Sequence, residues 1–303
     1  MLGAKAVARA KINLFLDVGP RRRDGYHEVR SVMQSLELAD ELYFRRTDGS
    51  RSRIFIRCND RCVPTTGDNL VWGAIEAFAR DTGAMSEGGV EVFINKRIPV
   101  GAGLAGGSAD AAATVLAMNH IWELELSGEA MGDIGARVGS DVPFCLAGGT
   151  AFVSGRGEKI ERLEPLPPYQ VVLASSDEEV STAEVYRRFD ELGGGAGPPA
   201  GEGVDGLLEG LLEGIRNHDF EAIQTNLHNS LESATIAADR VGQFKEAARK
   251  AGAAATSMTG SGPTVFALVT GLEEAAEVAW ELEKIAPVTI ITSFAERGAE
   301  ISA

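Results

Sequence analysis

The sequence predicts an α+β fold in two domains, and three observations carry that expectation. At 303 residues the chain is long for a single core, since domains of roughly 100–200 residues are the rule. Within each half, strand-like segments come first and helix-like segments later, rather than alternating as a doubly wound parallel sheet requires. Between the halves Pro165, Pro167 and Pro168 interrupt the chain. The expected domains are therefore residues 1–164 and 165–303.

Residues 4–57 read as strands, because Ile12, Leu14, Leu16 and Val18 alternate with Asn13, Phe15 and Asp17, and Ile54–Ile56 repeats the period of two. Asn69–Thr82 reads as a helix, with Leu70, Ala74, Ala77 and Phe78 at helical spacing, and Val90, Val92 and Ile94 as a strand. After a glycine-rich run come helices over Ser108–Trp122 and Ser127–Val138, then short strands over Thr150–Ser154 and Lys159–Leu163. The second half opens with strand Gln170–Ala174, followed by helices over Thr182–Leu192, Val204–Asn217, Phe220–Leu231 and Gly242–Ala251. It closes with strands Ala254–Met258 and Pro263–Val269, helix Glu273–Ile285 and strand Val288–Phe294. Gly193–Gly214 carries nine glycines and two prolines, so its first half, Gly193–Gly203, is expected to be a surface loop.

The charge balance narrows the function. With 29 Lys and Arg against 44 Asp and Glu, the net charge is −15. A protein that tracks phosphates needs a basic face, so neither nucleic acid nor a membrane is an expected partner. A small basic pocket for a phosphorylated ligand stays compatible with this balance. The three cysteines, Cys58, Cys62 and Cys145, cannot close a disulfide framework and lack the further Cys or His pair of a structural zinc site. They read as free thiols in a reducing cytoplasm. The apolar run after Lys5, Arg9 and Lys11 stops at Asp17, too soon for a secretory signal. Gly252–Leu272 is uncharged, but its four glycines and Pro263 make it a strand beside a turn rather than a span.

Five motifs can carry chemistry. Pro99-Val-Gly-Ala-Gly-Leu-Ala-Gly-Gly-Ser108 runs into a helix. Glycines let a backbone approach a ligand, and a helix N-terminus offers unpaired N–H groups and the positive end of its dipole, which suit phosphate. A turn without a ligand is the plain alternative. A dinucleotide fold lacks its flanking strands here, and a Walker loop lacks its lysine. Asp110, in the first helical turn, is expected to cap the helix or face away. In Gly139-Ser-Asp-Val-Pro-Phe144, Asp141 is a buried general base or the head of an Asx-turn. In Ala10-Lys-Ile-Asn13, Lys11 is a snorkelling edge residue or a desolvated charge held by a carboxylate. Asp24-Gly-Tyr-His27 is a hairpin turn whose Tyr26 and His27 could also stack on and bond to a nucleobase. Thr259-Gly-Ser-Gly-Pro-Thr264 is a second nest of backbone donors or a tight turn. No Gly-x-Ser-x-Gly or His-Glu-x-x-His occurs, which disfavours a serine hydrolase and a metalloprotease.

In this order the five motifs resemble the galactokinase, homoserine kinase, mevalonate kinase and phosphomevalonate kinase superfamily. Asp24–His27 and the pairing of Lys11 with Asp141 resemble those members that phosphorylate a cytidine diphosphate conjugate of methylerythritol in non-mevalonate isoprenoid synthesis. The resemblance implies a cleft between two α+β domains and ATP as co-substrate with Mg2+, whose protein ligands it leaves unknown. It further implies Asp141 as base, assisted by Lys11, and a triphosphate cradle formed by Pro99, Val100, Gly101, Ala102, Gly103, Leu104, Ala105, Gly106, Gly107, Ser108 and Ala109. Asn69 and Lys96 match positions beside the adenine. His27 would read the cytosine edge between Tyr26 and Tyr186, with Asn13 and Thr182 lining the sugar-alcohol pocket. Ala102 and Ala105 stand where many members have glycine, so both are expected to avoid φ > 0, and Asp177-Glu-Glu179 puts acids near the diphosphate. A homoserine or mevalonate kinase would have no use for Tyr26 and His27. A non-catalytic nucleotide-binding module would have none for Lys11 and Asp141.

Overall fold

The computed structural model describes residues 3–47, 53–85, 88–178, 180–194 and 202–302. Its longest element is a hairpin of β1 (Gly3–Arg21) and β2 (His27–Thr47). The Asp24-Gly25 turn closes it: Gly25 sits at φ 89 and the Asp24 carboxylate accepts from the Tyr26 N–H at 3.1 Å. Next come β3 (Ile54–Cys58), α1 (Leu70–Thr82), β4 (Gly89–Asn95), α2 (Gly106–Ile121), α3 (Gly128–Val138) and α4 (Val142–Ala147). β5 (Thr150–Gly155) and β6 (Lys159–Arg162) end the first half. The second half holds β7 (Gln170–Ser175), α5 (Thr182–Glu191), α6 (Glu202–Asn217), α7 (Phe220–Thr225) and β8 (His228–Asn229). It continues through α8 (Ala238–Lys250), β9 (Ala255–Met258), β10 (Val265–Val269), α9 (Leu272–Leu282), β11 (Val288–Ser293) and β12 (Glu300–Ser302).

The expected α+β class holds. One sheet runs β12-β1-β2-β4-β3, with β5 and β6 added beside β2 and β8 lying parallel to β1. The other is an antiparallel sheet in the order β11-β7-β10-β9. The segment around Pro165 leads from the first sheet to the second, yet β8 and β12 return to pair with β1. Segment 195–201 of the expected glycine-rich loop lies outside the described residues.

Three expectations change. β1 does not alternate: Lys11 through Val18 are all buried, because α2 packs on the strand while β8 and the loop after β9 close its free edge. The expected helix over Phe220–Leu231 stops at Thr225. There the Asn229 side chain accepts from the Leu231 N–H and donates to the carbonyls of Met258 and Gly260, diverting the backbone into β8 and a short 3₁₀ turn. The His228 ring bonds the Ser230 hydroxyl beside this turn. Helix α4 was not expected, since a six-residue apolar run shows no helical period; Pro143 in its first turn starts it, where a missing N–H costs nothing.

Helix α2 is alanine-rich for a packing reason. Ala109, Ala111, Ala112, Ala113 and Ala117 are all buried, so the helix is enclosed on every side and small side chains let β1 and α1 approach its axis. The packing fixes the N-terminus of α2 against the strand that carries Lys11.

Candidate active site

The first turn of α2 opens into a cleft of about 1160 Å³. Its approach is set by Gly101 at φ 68, Gly103 at φ 77 and Ala105 at φ 57. Ala102 avoids the left-handed region as expected, but Ala105 does not. An L-residue there costs roughly 1–2 kcal/mol, and Ala105 occupies the N-cap of α2 with no side chain bonding the helix. The early N–H groups of the helix are thereby left for a ligand. Helix formation begins at Gly106, two residues before the expected start.

Gly103 is where three parts of the chain meet. Its carbonyl accepts from the Lys11 ammonium at 3.0 Å and from the Thr259 hydroxyl at 3.4 Å, while the Lys11 N–H donates to the Leu104 carbonyl at 3.1 Å. A Cβ on Gly103 would fall 2.4 Å from the Thr259 carbonyl oxygen. Gly103→Ala is therefore expected to force the loop off the 259–262 turn, losing about 1–3 kcal/mol to overpacking. Urea unfolding together with the ATP KM checks this: both should worsen, and an unchanged pair would refute the contact.

Lys11 and Asn13 share one face of β1, and register shifts between Arg9 and Lys11 and between Asn13 and Phe15 bracket them. Bulges of this kind re-aim side chains. Lys11 is the desolvated charge of the two readings, 3 % exposed. Its ammonium donates to Asn13 Oδ1 at 2.8 Å and lies 3.8 Å from Asp141 Oδ2. Asn13 Oδ1 also accepts from the Gly260 N–H and the Thr259 hydroxyl, and its amide donates to Ser31, so Asn13 is fully engaged in holding Lys11.

Asp141 is not buried; its side chain is 32 % exposed. It occupies the N-cap position of α4 without bonding the helix, and Lys11 is its side-chain partner among the described residues. Neither the buried-carboxylate nor the Asx-turn expectation describes it. The carboxylate stays open to the cleft beside a buried cation. A Cβ at Gly139 would lie 3.8 Å from the Ser108 hydroxyl, which brings α2's first turn against the loop that carries Asp141.

Lys96 and Asp110 form a buried ion cluster with Asp40. The Lys96 ammonium lies 2.6 Å from Asp40 Oδ2 and 2.7 Å from Asp110 Oδ2. Asp110 thus neither caps the helix nor turns away. Burial, reinforced by Asp40 and opposed by Lys96, pushes its carboxyl up to about 8. Lys96 is raised because the two carboxylates outweigh the burial that acts against it. Asn69 caps α1, accepting from the Val71 N–H and donating to the Pro64 carbonyl.

At the other end of the cleft His27 Nε2 meets Asp190 Oδ1 at 2.8 Å, and the His27 and Tyr186 ring centroids lie 5.2 Å apart, tilted by 45°. Burial pushes the Tyr186 phenol up. Tyr26 is half exposed and carries the Arg156 guanidinium over its ring at 5.0 Å. The Thr182 hydroxyl pairs with Ser261 at 3.0 Å. Asp177 and Glu178 are exposed and lie off the cleft; Glu179 is outside the described residues.

All the expected site residues line this one cleft except Ala109, which is buried in the core and whose N–H bonds the Ala105 carbonyl. Sequence reasoning missed Arg156, Arg187 and Asp190, which line the His27 end together with Arg21. Thr182, Tyr186 and Asp190 fall at i, i+4 and i+8 on α5, and that helical period was the available signal.

This geometry has relatives. Residues 69–149 match the GHMP kinases N terminal domain, and residues 211–286 match the GHMP kinases C terminal domain. Both halves of a small-molecule kinase that uses ATP as co-substrate are present. The 4-diphosphocytidyl-2-C-methyl-D-erythritol kinase of Caldanaerobacter subterraneus subsp. tengcongensis is 40% identical over 297 residues, 97% of this chain and 98% of its own length. A crystal structure of 4-(cytidine 5'-diphospho)-2C-methyl-D-erythritol kinase superposes with TM-score 0.76 at 29% identity, covering 96% of this chain and 98% of the other. A homoserine kinase from Cytophaga hutchinsonii superposes with TM-score 0.79 at 21% identity, covering 99% and 97%, a likeness of fold alone. The chain belongs to the 4-diphosphocytidyl-2-C-methyl-D-erythritol kinase family of GHMP kinases.

Proposed function

We propose that this chain transfers the γ-phosphoryl group of ATP to the 2-hydroxyl of 4-diphosphocytidyl-2-C-methyl-D-erythritol, in the methylerythritol phosphate route of isoprenoid biosynthesis. The observation that carries the reading is that one cleft holds the Lys11–Asp141 pair beside the α2 N-terminus and the His27–Tyr186 pair at its far end. The first suits phosphoryl transfer to a hydroxyl and the second a nucleobase.

In this reading Asp141 takes the proton from the 2-hydroxyl as its oxygen bonds to the γ-phosphorus, and the bond to the β–γ bridging oxygen breaks to release ADP. Lys11, 3.8 Å from Asp141, stabilises the negative charge on the attacking oxygen. Residues Pro99–Ser108 wrap the triphosphate with backbone N–H groups. Asn69 and Lys96 flank the adenine, with the Lys96 charge already balanced by Asp40 and Asp110. Tyr26, His27 and Tyr186 hold the cytosine, and Asn13 and Thr182 border the methylerythritol.

Among the described residues no group of three or more His, Cys, Asp or Glu could hold a metal ion. The Ser108 hydroxyl, in the loop itself, is the protein oxygen that would hold one. That sparse set fits Mg2+, which keeps water and phosphate oxygens and takes one or two protein ligands. Bound there with the triphosphate, Mg2+ supplies charge neutralisation at the phosphates.

Residues 1–164 act in this proposal as the ATP-binding domain and 165–303 as the C-terminal domain, whose 259–262 turn forms the cleft floor. Among the described residues no helix is long and apolar enough to cross a membrane, and Cys58, Cys62 and Cys145 are free. The cytoplasm is the compartment we assign.

ADP release from magnesium-ATP tests the reading. Release should require the cytidine diphosphate conjugate. Stimulation by homoserine or mevalonate alone would reject it in favour of another member of the superfamily.

A further inference from the structure

We propose that Asp190 fixes the tautomer of His27 and thereby makes the cleft select cytosine over uracil; this rests on the function proposed above. His27 opens β2 and is 7 % exposed. A carboxylate only accepts, so the 2.8 Å contact with Asp190 Oδ1 puts the imidazole proton on Nε2. Nδ1 makes no hydrogen bond among the described residues, and it is not among the polar atoms sealed from solvent without a partner. It therefore opens on the cleft that His27 lines. In the neutral ring it is a lone-pair acceptor.

Cytosine and uracil differ where this acceptor points. The exocyclic amino group of cytosine donates a hydrogen bond, whereas uracil places a carbonyl oxygen at the same position. An Nδ1 acceptor pairs with the first and leaves the second facing a lone pair inside an enclosed site, where an unmade bond is costly. Without the carboxylate, either ring nitrogen can hold the proton, and the tautomer with Nδ1–H accepts uracil.

The Asp190 carboxylate is committed to this task. His27 is its side-chain partner among the described residues. The neighbouring Arg187 guanidinium is taken by Glu184 and Glu191. Helix α5 carries Asp190 one turn beyond Tyr186, so the residue that orients the ring and the residue that stacks beside it move as one body. Asp190 touches His27 rather than the base, which makes it a positioning residue.

The test is steady-state kinetics of the full chain on the cytidine conjugate and on its uridine counterpart, for the native protein, Asp190→Asn and Asp190→Glu. The native chain should prefer cytidine. Asp190→Asn can present either a donor or an acceptor to Nε2. It should raise the KM for the cytidine conjugate about tenfold with kcat nearly unchanged, and cut the cytidine-to-uridine ratio of kcat/KM by about tenfold or more. Asp190→Glu keeps the carboxylate and should restore most of that ratio. Nitrogen-15 shifts of the His27 ring should report Nε2–H in the native chain and a tautomer mixture in Asp190→Asn. If Asp190→Asn slows both conjugates equally with the ratio unchanged, Asp190 merely supports α5 and the proposal falls. A native chain that uses both conjugates equally well also overturns it, while leaving the kinase reading intact. Turnover of neither conjugate overturns both.

Discussion

Asp141→Asn should lower kcat by about 10²–10⁴-fold, the range spanned by removing a positioned general base, while ATP binding stays within about twofold. The separation follows from geometry. Asp141 takes no part in the glycine loop's own bonds: its carboxylate meets Lys11 at 3.8 Å and, among the described residues, bonds neither α4 nor the loop. Asparagine is isosteric and leaves the fold alone, but it cannot take a proton. Among the described residues Lys11 then has no charged partner, and its ammonium is held by Asn13 and Gly103. Isothermal titration with an ATP analogue beside single-turnover chemistry distinguishes the outcomes. Turnover surviving within tenfold would remove Asp141 as the base and leave positioning by the loop as the source of catalysis.

Lys96→Met should be strongly destabilising, at about 3–5 kcal/mol, because it leaves the buried Asp40 carboxylate and the Asp110 carboxyl beside it without their cation. The side chains of Lys96, Asp40 and Asp110 are 5 %, 0 % and 3 % exposed. Asp40 has backbone donors in the N–H groups of Arg97 and Ile98, whereas Asp110 Oδ1 has no hydrogen-bond partner among the described residues. The loss should depend on pH in a definite direction. The folded Asp110 carboxyl titrates near 8 rather than at its ordinary 3.8. A group whose folded pKa is raised contributes stability below its unfolded value, and that contribution fades as pH climbs through the folded one. Removing Lys96 strips away the term that lowers this pKa, so the variant should lose more at pH 8 than at pH 5. Urea midpoints at the two pH values measure it. Adding Asp110→Asn should recover part of the loss at pH 8. An equal loss at both would mean that packing, not charge, dominates.

Whether a residue was legible in the sequence depended on how far its partners lie along the chain. The glycine loop announced itself, because backbone freedom and the following helix are local. Asn69 as a helix cap and Ser127 opening α3 were equally local signals. Lys11 and Asp141 read as open alternatives, since a strand position says nothing about a carboxylate 130 residues later. Their meaning came from the order of motifs. The Lys96 cluster was invisible for the same reason: Asp40 is 56 positions away and Asp110 is 14. The alternation assigned to β1 failed because period two identifies a strand but not how many sides are covered. Ala105 broke a local rule, left-handed backbone without glycine, at the point where the helix presents its N–H groups. Asp190 lay one turn beyond a residue already singled out.

The pairing of β12 with β1 carries a consequence for how the chain is made. Arg9 bonds Glu300 across 291 positions, and β8 joins the same strand from the second half. A ribosome delivers Lys11 before either partner, and the strand that bears it stays open along its β12 and β8 pairings until those later segments have been synthesised. Such an edge invites association with other chains, and contacts this distant slow folding. A gene split at the proline-rich joint would therefore yield an N-terminal fragment carrying the glycine loop, Lys11 and Asp141, with a sticky strand where Lys11 should be held.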